Sequence, residues 1–113
     1  MIVTIFRSRL SPQHTAAYYE MASHMRELAE AMPGFISFKT FQAEDGERVS
    51  LIEFESEDTL QSWREHPEHQ KAQELGRTKF YDDFQIQVCS ILRQYGSKTS
   101  RPSSTLGARD WCR

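Results

Sequence analysis

The 113-residue chain lacks most of the features that would declare a chemistry outright. Cysteine is scarce: Cys89 lies within an alternating apolar run and Cys112 near the end, too few for a disulfide framework. That usage fits free thiols in a soluble, intracellular, cytoplasmic protein. Long hydrophobic runs are missing as well. Nothing approaches the roughly 20 apolar residues of a membrane span, and the apolar start meets Arg7 too early for a secretory leader, so no membrane partner is expected. Nor is there an excess of positive charge. Residues 1–95 hold 15 Asp or Glu against 10 Lys or Arg, and residues 96–113 hold four bases and only Asp110. Without a basic stripe to neutralise a phosphate backbone, nucleic acid is not an expected partner. A Gly-rich phosphate loop, a dinucleotide fingerprint and a nucleophile elbow are all absent, so no motif announces a bound cofactor. His66 and His69 form an H-x-x-H pair, but no third ligand stands at metal-binding spacing, since Glu65 and Glu68 are as easily solvated helix charges. No metal site is expected.

What is present is periodicity. Residues 1–10 alternate as a strand, with Ile2, Thr4, Phe6 and Ser8 on one face and Val3, Ile5, Arg7 and Arg9 on the other. Ser11-Pro12 supplies an N-cap and a first-turn proline. Tyr18, Met21, Met25, Leu28 and Met32 then recur at spacings of three and four, the pattern of a long amphipathic helix that Pro33-Gly34 ends. Such a methionine and aromatic stripe packs a core rather than holding a cofactor. His14 and His24 on this helix have polar neighbours and read as surface residues. Residues 35–42 form a second strand, Asp45-Gly46 signals a hairpin, and residues 49–55 return as the third strand. Simple alternation puts Phe35 and Phe41 on one face of that hairpin and Ile36 and Phe38 on the other.

Ser56, followed by Glu57 and Asp58, starts a helix that carries Leu60 and Trp63 on one side. Pro67 interrupts it, because proline disfavours a helical residue before it yet suits the first position of a new helix bearing His69, Ala72 and Leu75. Trp63, His66 and His69 therefore sit around a bend, where side chains can converge. Phe84, Ile86, Val88 and Leu92 then alternate with Gln85, Gln87, Cys89 and Arg93 in a fourth strand extending toward Tyr95.

The order strand, helix, strand, strand, helix, strand predicts an α+β, ferredoxin-like βαββαβ fold, with helices on one face of a four-stranded antiparallel sheet. The other face would meet water, so a two-fold homodimer with its sheets facing each other is expected. Residues 1–95 constitute this domain. Residues 96–113, poor in apolar side chains and rich in Ser, Gly and Arg, read as a flexible extension in which Leu106 and Trp111 can dock.

Three segments carry a family resemblance. They are Pro33-Gly34-Phe35, the run from Ser62 through Trp63, Arg64, Glu65, His66, Pro67, Glu68 and His69 with Ala72 beyond it, and Phe80-Tyr81 before Gln87-Val88-Cys89. In these, residues 1–95 resemble the antibiotic biosynthesis monooxygenase family of dimeric α+β barrels. The resemblance implies a pocket in each protomer between sheet and helices, with the family's helical tryptophan falling on Trp63. That ring can stack on a planar aromatic ligand and its N–H can orient an oxygen; it can equally fill the core, and the two roles are compatible. Members range from cofactor-independent oxygenases of phenols and quinols to heme-degrading enzymes. The iron-ligating histidine and strand-one asparagine of the heme-degrading branch fall on Gln73 and Ser8, so both of its key residues are absent.

The resulting expectation is a cofactor-independent monooxygenase that uses O2 on a small aromatic phenol or quinol. His66 or His69 would take the phenolic proton of a substrate held against Trp63, and the electron-rich anion would itself reduce O2. Each histidine also reads, on its own, as a structural or surface residue. Arg7 and Arg9 bind a substrate oxyanion if strand register turns them inward. Tyr81 donates to a substrate oxygen or packs as a helix-end aromatic. Cys89 has a small hydrophobe's surroundings and is not proposed as a nucleophile. The rival class is a non-catalytic dimeric module that binds or protects a ligand in the same pocket, with a heme-handling protein as a third reading.

Overall fold

The alternating apolar stretches pair into one antiparallel sheet, whose strands are β1 (Ile2–Leu10), β2 (Phe35–Gln42), β3 (Arg48–Phe54) and β4 (Tyr81–Ser90), in spatial order β2-β3-β1-β4. The structure, a computed structural model, describes residues 1–97. The sequence positions Leu106, Trp111 and Cys112 lie outside the described residues. Three α-helices connect the strands: α1 (Thr15–Glu30), α2 (Glu57–Arg64) and α3 (Pro67–Leu75). This is the α+β, ferredoxin-like arrangement that the element order predicts.

Register decides which side chains meet the helices. Ile2 stands opposite Phe54, Thr4 opposite Ile52, Phe6 opposite Ser50 and Ser8 opposite Arg48, so the even-numbered residues of β1 and β3 share one face. On that face Ile2, Ile52 and the fully enclosed Phe54 pack against Met25 and Ala29 of α1, Leu60 and Trp63 of α2, and Ala72 of α3. The odd-numbered row, with Val3, Ile5, Val49 and Leu51, faces away from the helices. Phe84, Ile86 and Val88 lie on the helix side, being opposite Ser8, Phe6 and Thr4, yet they stay exposed because β4 is an edge strand.

One expected alternation is corrected. The β2–β3 register slips between Phe35 and Ser37, so Ile36 is an extra residue and every later side chain changes face. Phe35 and Phe38 therefore share the helix side, opposite Phe54 and Ile52, while Phe41 points to the open face beside Val49. The fourth strand also ends sooner than its pattern suggested. It stops at Ser90, and Leu92 is 90% exposed beyond it.

Local chemistry accounts for the helix ends. Ser56 and Thr59 form a reciprocal capping box at α2: the Ser56 hydroxyl accepts from the Thr59 N–H at 3.2 Å, and the Thr59 hydroxyl accepts from the Ser56 N–H at 3.2 Å. Ser11, by contrast, makes no side-chain cap, and the chain passes through a 3-10 turn, Pro12–His14, before α1 begins. Gly34 follows α1 with φ +82°, a left-handed conformation that glycine adopts without penalty, and its carbonyl accepts from the Glu55 N–H at 2.8 Å. A π-helical turn, Gly76–Phe80, joins α3 to β4. Among the described residues no helix is long and apolar enough to cross a membrane.

Candidate functional site

Pro67 opens α3, and His66 becomes its N-cap, with Nδ1 accepting from the Glu68 N–H at 3.2 Å. His69, two positions past the proline, folds back over the preceding helix. Its imidazole stacks on the Trp63 indole, with ring centroids 4.2 Å apart and planes 12° from parallel. Its Nδ1 lies 3.1 Å from the Trp63 carbonyl oxygen. A carbonyl can only accept, so Nδ1 carries the proton and Nε2 of the neutral ring keeps its lone pair. His66 holds the opposite tautomer, because its Nδ1 lone pair is already engaged and Nε2 carries the hydrogen.

Burial is the main reason that His69 titrates below its ordinary value. The positive charge of Arg64 adds to the effect, against the opposing pull of the Trp63 carbonyl. The bend thus holds a neutral imidazole against a tryptophan that is only 4% exposed. His66 approaches the same indole at 5.8 Å, in a tilted arrangement. Trp63, His66 and His69 are therefore brought together.

Tyr81 belongs to a different cluster, at the far end of β1. It packs edge-on against Phe6 at 5.2 Å and Tyr18 at 5.6 Å, with Phe84 at 6.0 Å. Gly76 permits this position, since a Cβ there would come within 2.7 Å of the Tyr81 ring. Burial, then the neighbouring Tyr18, push the phenol well above the usual tyrosine range, so Tyr81 is a hydrogen-bond donor throughout the physiological range.

Arg7 and Arg9 lie on the face away from the helices, because their odd parity in β1 is that of Val3 and Ile5. Arg7 forms a two-pronged pair with Glu47, Nε to Oε2 and Nη2 to Oε1, both at 3.0 Å. Arg9 binds Asp45 through its carboxylate at 2.8 Å and its carbonyl at 3.0 Å. The pairs clamp the β2–β3 turn to β1, and they keep both guanidinium groups apart from Trp63.

Two polar groups that the sequence reading passed over lie on the helix side. Thr4 Oγ1 and Arg48 Nε are buried with no hydrogen-bond partner among the described residues. Parity was the available signal: Arg48 precedes Ser50, Ile52 and Phe54 on the core-facing row of β3. An open groove of about 470 Å³ also runs between α1 and the end of α3, lined by His14, Met21, His24, Leu75 and Phe80 among others. His24 is half-exposed at its rim and pairs with Glu68 at 2.9 Å.

Residues 1–75 match the sequence pattern of the family described as antibiotic biosynthesis monooxygenase. The chain is 32% identical over 87 residues to YqjZ, an uncharacterised protein of Bacillus subtilis (strain 168), covering 77% of this chain and 76% of that protein. It is 27% identical over 112 residues to the jasmonate monooxygenase ABM of Pyricularia oryzae. That match covers 97% of this chain but 52% of the relative, so the chain spans about half of that enzyme's length. Among solved structures, a mutant of SnoaB, a cofactor-independent oxygenase from Streptomyces nogalater, superposes with a TM-score of 0.70. The superposition covers 82% of this chain and 94% of that one at 10% identity, a likeness of fold.

Proposed function

Because the chain belongs to the antibiotic biosynthesis monooxygenase family, we propose that it is a cofactor-independent monooxygenase acting with O2 on an aromatic phenol or quinol. The observation that carries this reading is the His69–Trp63 pair: a neutral imidazole, its Nδ1–H committed to a carbonyl, stacked on an aromatic platform. Nε2 takes the phenolic proton. His66 cannot serve in the same way, because its free nitrogen is the protonated one. The resulting phenolate is electron-rich enough to reduce O2 itself. One oxygen atom forms a bond to ring carbon, the other leaves as water, and the four electrons come from the substrate, which becomes a quinone. The chain's own contributions are deprotonation, orientation and exclusion of water. A likeness of fold to SnoaB and of sequence to the jasmonate monooxygenase supports the reaction class. Residues 1–95 form the catalytic domain in this reading, and residues 96–113 an appendage to it.

We further propose that the protein acts as a two-fold dimer through the open face of the sheet. Val3, Ile5, Val49, Leu51 and Phe41 form its apolar centre. Arg7 and Arg9 are already neutralised by Glu47 and Asp45, so two copies of this face meet without opposing unpaired guanidinium charges. Leu51→Glu should give a monomer in sedimentation equilibrium; an unchanged mass would refute this interface.

The test of the activity is oxygen uptake by metal-stripped protein over a panel of hydroquinones and polycyclic phenols, with boiled protein as control. Uptake above the control without added flavin or metal is expected. Absence of uptake together with tight binding of a panel member would overturn the oxygenase reading in favour of a ligand-binding module.

A further inference from the structure

Each of four arginines has a carboxylate within ion-pair distance: Arg7 with Glu47, Arg9 with Asp45, Arg26 with Glu30 and Arg77 with Glu74. Among the described residues Arg48, Arg64 and Arg93 have none, but Arg64 and Arg93 are exposed, whereas Arg48 is partly buried on the core-facing row of β3, opposite Ser8. Its Nη1 donates to the Tyr19 hydroxyl at 3.2 Å, and its guanidinium lies 5.4 Å from the Tyr19 ring and 5.8 Å from that of Tyr18. Its Nε is buried and unpartnered. Aromatic faces attract a cation but satisfy no N–H along the guanidinium edge. An N–H shut off from water with no acceptor is costly, and an arriving carboxylate would supply the acceptor.

The surroundings specify more than charge. The rings of Tyr18 and Tyr19 stand beside it, and Tyr81 packs edge-on against Tyr18, so an aromatic ring next to a bound carboxylate would meet aromatic walls.

We propose that Arg48 anchors the carboxylate of the substrate, and that the substrate is an aromatic carboxylic acid. The acid group sits on the Arg48 guanidinium, with the aromatic ring beside Tyr18 and Tyr19. This rests on the monooxygenase reading for the acid being a substrate, but the anion site stands on Arg48 alone.

The test is isothermal titration under nitrogen, which prevents turnover, with 6-hydroxy-2-naphthoate and its methyl ester as probes. Wild type should bind the acid about tenfold or more tightly than the ester, the preference expected of a charge-assisted guanidinium pair. Arg48→Met should abolish that preference and leave ester affinity unchanged, and Arg48→Lys should retain part of it. Because the methionine variant removes an unpaired cation, it should melt no lower than wild type in the absence of ligand. Equal affinity of acid and ester in wild type, failure of the acid to bind, or parallel weakening of both probes by Arg48→Met would each overturn the proposal. Oxygen uptake on the same samples separates the two readings: acid preference without uptake removes the monooxygenase and leaves the anchor, whereas uptake without acid preference does the reverse.

Discussion

Asparagine at position 69 would separate the structural from the chemical role of the imidazole. Its side-chain amide N–H can replace Nδ1–H and continue donating to the Trp63 carbonyl, a bond of 3.1 Å in the native protein, but it offers no basic nitrogen. If Nε2 removes the substrate proton, turnover falls by about 10²–10⁴-fold, the usual contribution of a general base. Stability changes far less. The hydrogen bond is kept and the 4.2 Å stack on Trp63 is lost, a contact of about 0.5–1.5 kcal/mol. The pH dependence adds an independent signature. His69 titrates in the folded protein below its ordinary value of 6.5, chiefly through burial. As pH falls below 6.5 the unfolded chain takes up the proton first, so folding stability drains away until the lowered folded value is reached; above 6.5 the contribution is constant. His69→Asn should remove that acid-side slope, and wild-type kcat/KM should rise with pH through the lowered value to a plateau. Oxygen uptake and thermal melts across that pH range measure both. Turnover within threefold of wild type would refute the assignment of His69 as base, and a stability slope just below pH 6.5 as steep as that of wild type would refute its lowered titration.

Gly34→Ala meets two penalties at once: a side chain at φ +82°, about 1–2 kcal/mol, and a Cβ 2.5 Å from Thr59, about 1–3 kcal/mol more. The denaturant midpoint should drop accordingly, and a loss under 1 kcal/mol would contradict the close contact with the α2 cap. Gly76→Ala has no such dihedral penalty, so its cost, about 1–3 kcal/mol, should come from displacing the Tyr81 ring and should disappear in a Tyr81→Ala background. Arg7→Met, on the open face, should leave KM within about twofold, as befits a group remote from the helix-side site; a large rise in KM would place substrate on that face instead.

The local parts of this fold were legible because their causes are local. Ser56 before two acids, Pro67 after a helical run, and Asp45-Gly46 between apolar stretches each act over a few residues, and each marks an element boundary in the structure. Facing was less legible, because it depends on pairing at long range. Ile36 forms a bulge that simple alternation cannot announce, and it returned Phe35 to the core side beside Phe38. The direction of Arg7 was likewise a question of which β1 row the helices cover. Arg48 was visible in principle. An arginine in phase with Ser50, Ile52 and Phe54 is a charge on the row that packs the core, but its position just after a turn made it resemble an ordinary solvated strand end. The π-helical turn at Gly76–Phe80, which sets the entry of Tyr81, had no counterpart in the sequence pattern.

Pro67 links the backbone of this protein to its proposed chemistry through one carbonyl. In an uninterrupted helix the Trp63 carbonyl would accept from the N–H four residues on, and residue 67 has none to give. The chain meets this deficit twice: the His66 N–H turns in to the same oxygen at 3.1 Å, and the His69 ring donates to it at 3.1 Å. The second bond selects a tautomer, because only Nδ1–H can satisfy an acceptor that has no hydrogen of its own. The restart of the helix selects the other tautomer for His66, whose Nδ1 must accept from the exposed N–H of Glu68. A single imino acid thus leaves two neighbouring imidazoles with opposite free nitrogens, one basic and one donating, beside the same indole. An asymmetric pair of this kind is what proton removal from one oxygen and polarisation of another would require, and here it follows from helix-end hydrogen bonding alone.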